Sequence, residues 1–272
     1  MRPMVGGELG HEEVTFSEAP QVVHSSALAP LTLAALSAGS VIAEEFRSLG
    51  ARIGALGGER STRCIGLVSA LAGEGKTTLT IGLAAALARE PGRKVLLIEA
   101  DLRKPAVDDY LGIPPANGLN EWLSSKHGHA SLRQLAPLGF ALLSAGRGPT
   151  WKPELLGSER MAQLLKAARR SFDYVLLDCP PLLPVADAVI LQDQVDGFVL
   201  VIRARRSPIE AIQRAVSTLK PDRVKGVVLN AHRELLPGYY RYAYQHYREY
   251  GYDKGYGKGY RKGYGKGDLG RG

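Results

Sequence analysis

The 272-residue sequence has little cysteine, no long uninterrupted apolar run and no patterned histidine. Its two cysteines, Cys64 and Cys179, both lie in short apolar stretches, which argues against a disulfide framework and predicts reduced, buried thiols in a cytoplasmic protein. The first fifteen residues carry three glutamates and no apolar core, so we expect no secretory signal there. The most apolar early stretch, residues 27–43, is broken by Pro30 and by polar residues, and we expect no transmembrane span. The six histidines lack the spacing of metal ligands.

Tyrosine and net positive charge are concentrated near the carboxy terminus. Of the net charge of +8, residues 239–272 contribute +5, from eight Lys or Arg and three Asp or Glu. Ten of the twelve tyrosines lie in the same segment: Tyr239, Tyr240, Tyr242, Tyr244, Tyr247, Tyr250, Tyr252, Tyr256, Tyr260 and Tyr264. Such a Gly- and Lys-rich segment cannot bury enough apolar surface to offset its ordering entropy. We therefore predict a disordered tail at residues 239–272, a flexible lead-in at residues 1–40, and one domain at residues 41–238.

Within residues 41–238, short apolar runs alternate with helical patterns. Strands are predicted at residues 64–69, 95–99, 140–143, 174–178, 197–202 and 226–230. Helices are predicted at residues 41–56, 76–89, 118–124, 158–170, 184–192 and 208–219. Continuous apolar strands separated by helices indicate an α/β fold, with a mostly parallel sheet and helices on both faces. Ligands of such sheets bind beyond the carboxyl ends of the strands.

A glycine-rich turn, Ser69–Thr78, joins the first predicted strand to the following helix. Glycines in this turn let backbone N–H groups close around a polyphosphate, and the helix N-terminus adds partial positive charge. Lys76 is placed to reach the β- and γ-phosphates, and the Thr77 hydroxyl to hold Mg²⁺. The pattern predicts a P-loop that binds a nucleoside triphosphate through Ala72, Gly73, Glu74, Gly75, Lys76, Thr77 and Thr78. Ala70 replaces the first glycine of the usual pattern.

Two further strands end in carboxylates. Glu99 and Asp101 follow one strand two residues apart, so that both side chains are able to face one site. Asp178 ends another strand, where an acid suits Mg²⁺ directly or through water. Arg103 follows these acids and is a candidate either for a phosphate contact or for an ion pair with them. Asn230 ends the last predicted strand, and its amide matches the hydrogen-bonding edge of adenine.

The segments Gly73–Thr78, Leu97–Pro105 and Leu176–Pro181 resemble the Walker A, A′ and B segments of the bacterial tyrosine kinases, the autokinases of capsule and exopolysaccharide synthesis. The related partition and cell-division ATPases carry a lysine five residues before the Walker lysine, where this chain has Leu71. Two positions depart from the kinase pattern. Glu99 replaces the usual aspartate, and Gly50 replaces the last arginine of an E-x-x-R-x-x-R assembly helix that Glu44 and Arg47 otherwise match.

The resemblance implies ATP-dependent, Mg²⁺-assisted phosphorylation of the tail tyrosines, in a neighbouring subunit. It implies catalytic roles for Lys76, Asp178 and either Asp101 or Glu99, with Thr77, Asp101 and Asp178 at the metal. It also implies a membrane-embedded co-polymerase as activator at the inner face of the cell membrane, a homo-oligomer such as a ring formed through Glu44 and Arg47, and a cognate tyrosine phosphatase.

Two other functions stay open from the sequence. One is a partition or positioning ATPase whose basic, aromatic tail holds nucleic acid or a membrane. The other is a non-catalytic scaffold with an adhesive tail. The kinase prediction makes nucleic acid an unexpected partner.

Overall fold

The computed structural model describes residues 21–22, 40–56, 63–124, 131–136, 138–147, 152–183, 185 and 187–231. The predictions for the tyrosine-rich tail, and for most of residues 1–40, lie outside these described residues. Among the described residues, no helix combines the length and the apolar character that crossing a membrane requires.

The described strands form one sheet whose order is β1-β4-β5-β3-β6-β2-β7-β8. They are β1 (Gln21–Val22), β2 (Arg63–Ser69), β3 (Val95–Glu99), β4 (Arg133–Ala136), β5 (Ala141–Leu143), β6 (Tyr174–Asp178), β7 (Gly197–Arg203) and β8 (Val224–Asn230). Neighbours from β5 to β8 are parallel, β4 is antiparallel to β5, and β1 is parallel to β4. The parallel strands end along one edge of the sheet, and the candidate site lies there.

Helices cover both faces of this sheet. They are α1 (Val41–Ala55), α2 (Lys76–Ala88), α3 (Val107–Leu111), α4 (Leu119–Ser124), α5 (Glu159–Ser171), α6 (Asp187–Ile190) and α7 (Ile209–Ser217). One apolar core joins the sheet to α1, α2 and α3, and a second core joins its other face to α4, α5, α6 and α7. Short 3-10 helices occupy Pro153–Gly157, Leu191–Asp193 and Pro221–Arg223. The predicted α/β class, with a mostly parallel sheet and two covered faces, is confirmed.

Small residues let α1 and α2 approach closely. A Cβ on Gly82 would lie 2.5 Å from Phe46 Cζ, and a Cβ on Gly50 would lie 2.9 Å from Leu87 Cδ2. Gly50 is buried against α2, so the position at which the assembly motif expects arginine faces the core of this domain. Ser40 starts α1 by accepting a hydrogen bond from the Ala43 amide at 3.0 Å.

The structure adds three elements that the sequence pattern did not predict: β1, β4 and α3. Strand β1 lies within the predicted lead-in, where Gln21 pairs with Leu135. The prediction of a flexible lead-in at residues 1–40 did not anticipate this short pairing at residues 21–22. The helix expected at residues 184–192 is also shorter than predicted, because α6 ends at Ile190 and the chain continues as a 3-10 turn.

Candidate active site at the phosphate loop

The glycine-rich turn lies at the carboxyl edge of the sheet, between β2 and α2. Gly73 and Gly75 adopt left-handed backbone conformations, with φ of 79° and 93°. A Cβ on Gly75 would lie 2.1 Å from Asn230 Nδ2, so this position requires glycine for two reasons. Lys76 is the first residue of α2 and is buried. The loop thus has the conformation of a phosphate cradle, with α2 opening directly behind it.

Ala70 stands at the first glycine position of the P-loop pattern, and its surroundings show why glycine is not needed there. Its side chain is fully buried in the core that packs against α5, and its φ is not among the positive values of the described residues. Its carbonyl accepts a hydrogen bond from the Leu183 amide at 3.3 Å. The Ala70 methyl group packs in the core, and the positive φ values of the loop occur at Gly73 and Gly75 instead.

Three side chains from the ends of β7 and β8 hold the tip of the loop. Arg203 Nη1 donates to the Gly73 carbonyl at 2.9 Å, and Asn230 Nδ2 donates to the Glu74 carbonyl at 2.8 Å. The buried Glu74 carboxylate accepts from the Leu71 amide at 2.9 Å and forms a hydrogen bond with the Ser207 hydroxyl. Each of the two Glu74 oxygens is therefore engaged by a hydrogen bond within the protein.

Sequence reasoning missed two of the residues that hold the loop, Arg203 and Ser207. The available signal was the position of Arg203 directly after a predicted strand, and of Ser207 in the connection that follows it, where ligands of parallel sheets bind. Asn230 was predicted for this edge, and its amide is now seen to be engaged by the chain itself, since Oδ1 also accepts from the Ala231 amide at 2.8 Å.

Asp178 lies next to the start of α2 and is fully buried at the end of β6. Burial raises its pKa to about 7, against the opposing effects of a hydrogen bond from Thr77 and of the Lys76 charge. Thr80 Oγ1 lies 3.4 Å from Asp178 Oδ1 and donates to the Lys76 carbonyl at 2.8 Å. The structure thus brings Lys76, Thr77 and Asp178 together.

Asp101 and Arg103 follow β3 in a turn beside Lys76. Burial raises the pKa of Asp101, while the amide of Lys104 and the Lys76 charge act to lower it. The Lys104 amide donates to Asp101 Oδ1 at 3.2 Å. Arg103 Nε donates to the buried Asp187 carboxylate at 2.9 Å and Nη2 at 3.3 Å. Arg103 thus forms an ion pair with Asp187, an acid that the sequence did not suggest as its partner, and this pair joins the turn to the start of α6.

Glu99 is fixed differently from Asp101, although the two lie two residues apart. Its Oε1 accepts from the amides of Ala106 and Val107 at 2.5 and 2.7 Å, and its Oε2 accepts from the Ala145 amide at 3.0 Å. Burial raises the pKa of Glu99, and these three hydrogen bonds oppose the increase. Glu99 pairs in register with Asp178, so it lies beside the site with both oxygens held by main-chain donors.

The site offers few side chains that could bind a metal ion, and those few bind through oxygen atoms. Within the described ranges, no group of three or more His, Cys, Asp or Glu side chains is arranged to hold a metal ion. Thr77 and Asp178 nevertheless offer hard oxygen donors beside the cradle, the type that Mg²⁺ prefers when phosphates complete its shell. The donor set fits an ion that is brought in with a nucleotide.

Glu44 and Arg47 lie on the exposed side of α1 and form an i,i+3 ion pair with each other. Their side chains are 41% and 61% exposed, so both reach solvent.

Comparison with known proteins agrees with this site. A sequence profile of the CobQ/CobB/MinD/ParA nucleotide binding domain matches residues 65–237. The chain is 33% identical over 197 residues to the tyrosine-protein kinase YwqD of Bacillus subtilis, covering 70% of this chain and 81% of that kinase. It is 34% identical over 197 residues to the succinoglycan biosynthesis transport protein ExoP of Rhizobium meliloti, and it spans 25% of the length of that protein.

Comparison with solved structures also relates the chain to tyrosine kinases. The kinase domain of the Escherichia coli tyrosine kinase ETK has a TM-score of 0.67 and 26% identity to this chain, covering 79% of this chain and 86% of that domain. The chain therefore belongs to the CobQ/CobB/MinD/ParA nucleotide-binding family and, within it, to the bacterial tyrosine-protein kinases. MinD and ParA give their names to the same nucleotide-binding family, so the likeness that suggested a positioning ATPase reflects a shared domain.

Proposed function

We propose that the chain transfers the γ-phosphoryl group of ATP to tyrosines of its own carboxy-terminal segment, in a neighbouring copy of the chain. The observation that supports this most strongly is the convergence of Lys76, Thr77 and Asp178 at a glycine-shaped cradle. The ten tyrosines of residues 239–272 supply acceptors within the same chain. The relatives named as tyrosine-protein kinases support the choice of acceptor.

The residues of the site have separate tasks in this proposal. Lys76 neutralises charge on the transferred phosphoryl group, and the loop amides between Ala72 and Thr78 hold the other phosphates. Thr77 and Asp178, with Asp101, are the residues that would hold Mg²⁺, which supplies charge neutralisation when bound. Asp101 orients the incoming tyrosine hydroxyl and accepts its proton, since its carboxylate is held by one amide only.

Two predicted contacts with the nucleotide need a different description. Arg103 reaches a phosphate only after leaving Asp187, with which it is paired. Asn230 supports the nucleotide through the loop that it holds. We keep both residues as part of the nucleotide site, Asn230 as a support of the cradle and Arg103 as a link between two loops.

The surroundings of the kinase are also part of the proposal. The name of ExoP connects one relative with the biosynthesis of an exopolysaccharide, and we infer a similar pathway for this chain. We expect a membrane-embedded co-polymerase to recruit and activate the chain at the inner face of the cell membrane, a cognate phosphatase to reverse the reaction, and α1 to take part in assembly through Glu44 and Arg47. Phosphates on the tail would reverse its charge of +5, because each adds about −1.5 to −2 charges.

Purified full-length chain incubated with γ-labelled ATP and Mg²⁺, with and without its activator, tests the proposal. We expect label on tyrosine in the wild type and a loss of at least about 100-fold in Lys76→Met, because a transition-state charge contact is removed. Lys225→Met, which changes a lysine on β8, serves as the control with unchanged labelling. Label released only as inorganic phosphate, or equal labelling of wild type and Lys76→Met, would contradict a kinase that uses this site.

A further inference from the structure

Glu99 has the burial of a structural group and the position of a catalytic one. It is 1% exposed and ends β3 directly beside Asp178, which ends β6. Its two oxygens accept three main-chain hydrogen bonds, two from the start of α3 and one from Ala145 just after β5. A carboxylate with both oxygens held in this way is poorly placed to bind a metal ion or to take a proton from substrate.

Two of the three donors, the amides of Ala106 and Val107, lie at the far end of the segment that carries Asp101. Residues 100–105 leave β3 after Glu99 and return to it at Ala106 and Val107, so the Glu99 side chain closes the turn across its base. Ala106 begins α3 without any side-chain cap of its own, and the Glu99 carboxylate supplies the missing acceptor. The third bond, from Ala145, ties the same carboxylate to the neighbouring strand.

A buried polar network fixes α3 from its other side. Arg133, on β4, forms an ion pair with Asp108 of α3 and hydrogen bonds with Ser144 and with the Pro114 carbonyl. Ser144 also donates to Asp108 at 2.6 Å. Ser144 immediately precedes Ala145, so this network and Glu99 meet at the same point after β5. The helix that ends the Asp101 turn is therefore held by Glu99 at Ala106 and Val107 and by Arg133 and Ser144 at the next residue, Asp108.

We propose that Glu99 is a positioning residue of the kinase site, which holds the Asp101 turn in place, and that Asp101 alone of this pair contacts the reacting groups. The inference rests on the proposed function. It also explains the departure from aspartate: three amides converge at the distance of a glutamate carboxylate, and a side chain shorter by one methylene does not reach all of them from the same backbone position.

A positioning role for Glu99 predicts the opposite order of activities among Glu99 variants from the order expected of a base or a metal ligand. A base or a metal ligand tolerates Glu99→Asp, which keeps the charge, and fails in Glu99→Gln. A positioning residue behaves in the opposite way, because glutamine keeps an oxygen for the amides of Ala106 and Val107 and loses only the bond from Ala145. We therefore expect Glu99→Gln to retain phosphotyrosine formation within about 10-fold of wild type, and Glu99→Asp to be slower than Glu99→Gln.

The experiment compares the maximal rate of phosphotyrosine formation and the half-saturating Mg·ATP concentration in wild type, Glu99→Gln, Glu99→Asp and Asp101→Asn. Loss should appear in the maximal rate and leave the half-saturating Mg·ATP concentration within about twofold of wild type, since the phosphate loop is untouched.

Glu121→Gln is the matched control, because Glu121 also accepts two main-chain hydrogen bonds, from Gly118 and Arg147, and has no part in the proposed machinery. Its rate should equal that of wild type. Ser144→Ala probes the same turn through the Arg133 network, with an expected rate loss of a few-fold.

Amide hydrogen exchange gives a readout that does not depend on kinase activity. Exchange at Ala106 and Val107 should rise about 10-fold or more in Glu99→Asp and stay unchanged in Glu121→Gln. Unchanged exchange, an inactive Glu99→Gln, or a Glu99→Asp that outperforms Glu99→Gln overturns the positioning role. A wild type without phosphotyrosine overturns the kinase proposal instead, and the exchange result still decides whether Glu99 holds the turn.

Discussion

Strands β2 and β8 are both seven residues long and belong to the same parallel run of the sheet, but their surroundings differ. β2 lies between β6 and β7, and six of its seven residues are buried. β8 is the last strand of the sheet, and its Val227 and Leu229 are 56% and 53% exposed. The phosphate loop grows from the enclosed strand, and the edge strand contributes only the Asn230 contact that supports it. Tight packing thus surrounds the residues that carry the chemistry.

The centre of the sheet, next to β2, also contains the buried carboxylate of Asp178, whose charge lowers the stability of the folded protein. Asp178 has a folded-state pKa of about 7, above the value of about 3.9 expected in the unfolded chain. Between these two values the folded protein binds one more proton than the unfolded chain, so its stability falls as pH rises, by up to about 1.4 kcal/mol for each pH unit. Above pH 7 Asp178 is ionised in the folded protein as well, and its buried charge then lowers the free energy of unfolding by the full amount.

The largest effect that we expect is therefore a gain of stability on removing a functional residue. Asp178→Asn should be more stable than wild type in metal-free solution at pH 8, and the gain should shrink as pH falls towards 5, where Asp178 is protonated. Urea unfolding in EDTA at the two pH values measures this difference. Asp193→Asn, at an exposed acid paired with Lys220, is the control and should show no such gain. A difference that is the same at both pH values would show that Asp178 does not titrate as described.

A smaller effect separates two glycines in the compared strands. Gly66 lies on β2, where a Cβ would come within 2.5 Å of the Phe198 ring and 3.2 Å of Cys179 Sγ. Gly66→Ala should lower the free energy of unfolding by about 1–3 kcal/mol, because the extra methyl group overpacks a closed core. Urea unfolding with an unchanged m-value would give the difference directly.

The matched substitution on the edge strand should have the smallest effect. Apart from its chain neighbours, no described residue has a heavy atom within 4 Å of a Cβ built on Gly226, and the φ of Gly226 is not positive. Gly226→Ala should leave stability unchanged or raise it by up to about 0.4–1 kcal/mol, through the lower entropy of the unfolded chain. If both alanine variants lost similar stability, the difference in packing between β2 and β8 would not be the cause.

The sequence predicted the elements that are long or strongly apolar. The strand at residues 95–99 has the predicted bounds, and the helix after Gly75 starts at the predicted Lys76. Strand β4 was missed because its buried positions include Arg133, whose charge is paired with Asp108 on a distant segment. Helix α3 was missed because it has five residues and its cap comes from Glu99, seven residues earlier in the chain.

The site was predictable to the same extent. Lys76, Thr77 and Asp178 follow from local motifs, because each lies at the end of a strand or at the start of a helix. The ion pair of Arg103 with Asp187 and the hydrogen bond of Glu74 with Ser207 join segments that are far apart in sequence. Such partners are set by the order of the strands in the sheet, which no local pattern records.

The central claim is that the main-chain amides around Lys76 hold a triphosphate. Calorimetric titration of the full chain with Mg·ATP and Mg·ADP, beside Lys76→Met, tests it most directly. We expect saturable binding of both nucleotides by the wild type and affinity for Mg·ATP at least about 10-fold weaker in the variant, since a charge-assisted phosphate contact is lost. Absence of binding by folded wild type, with its activator present, or equal affinity in Lys76→Met would contradict the account.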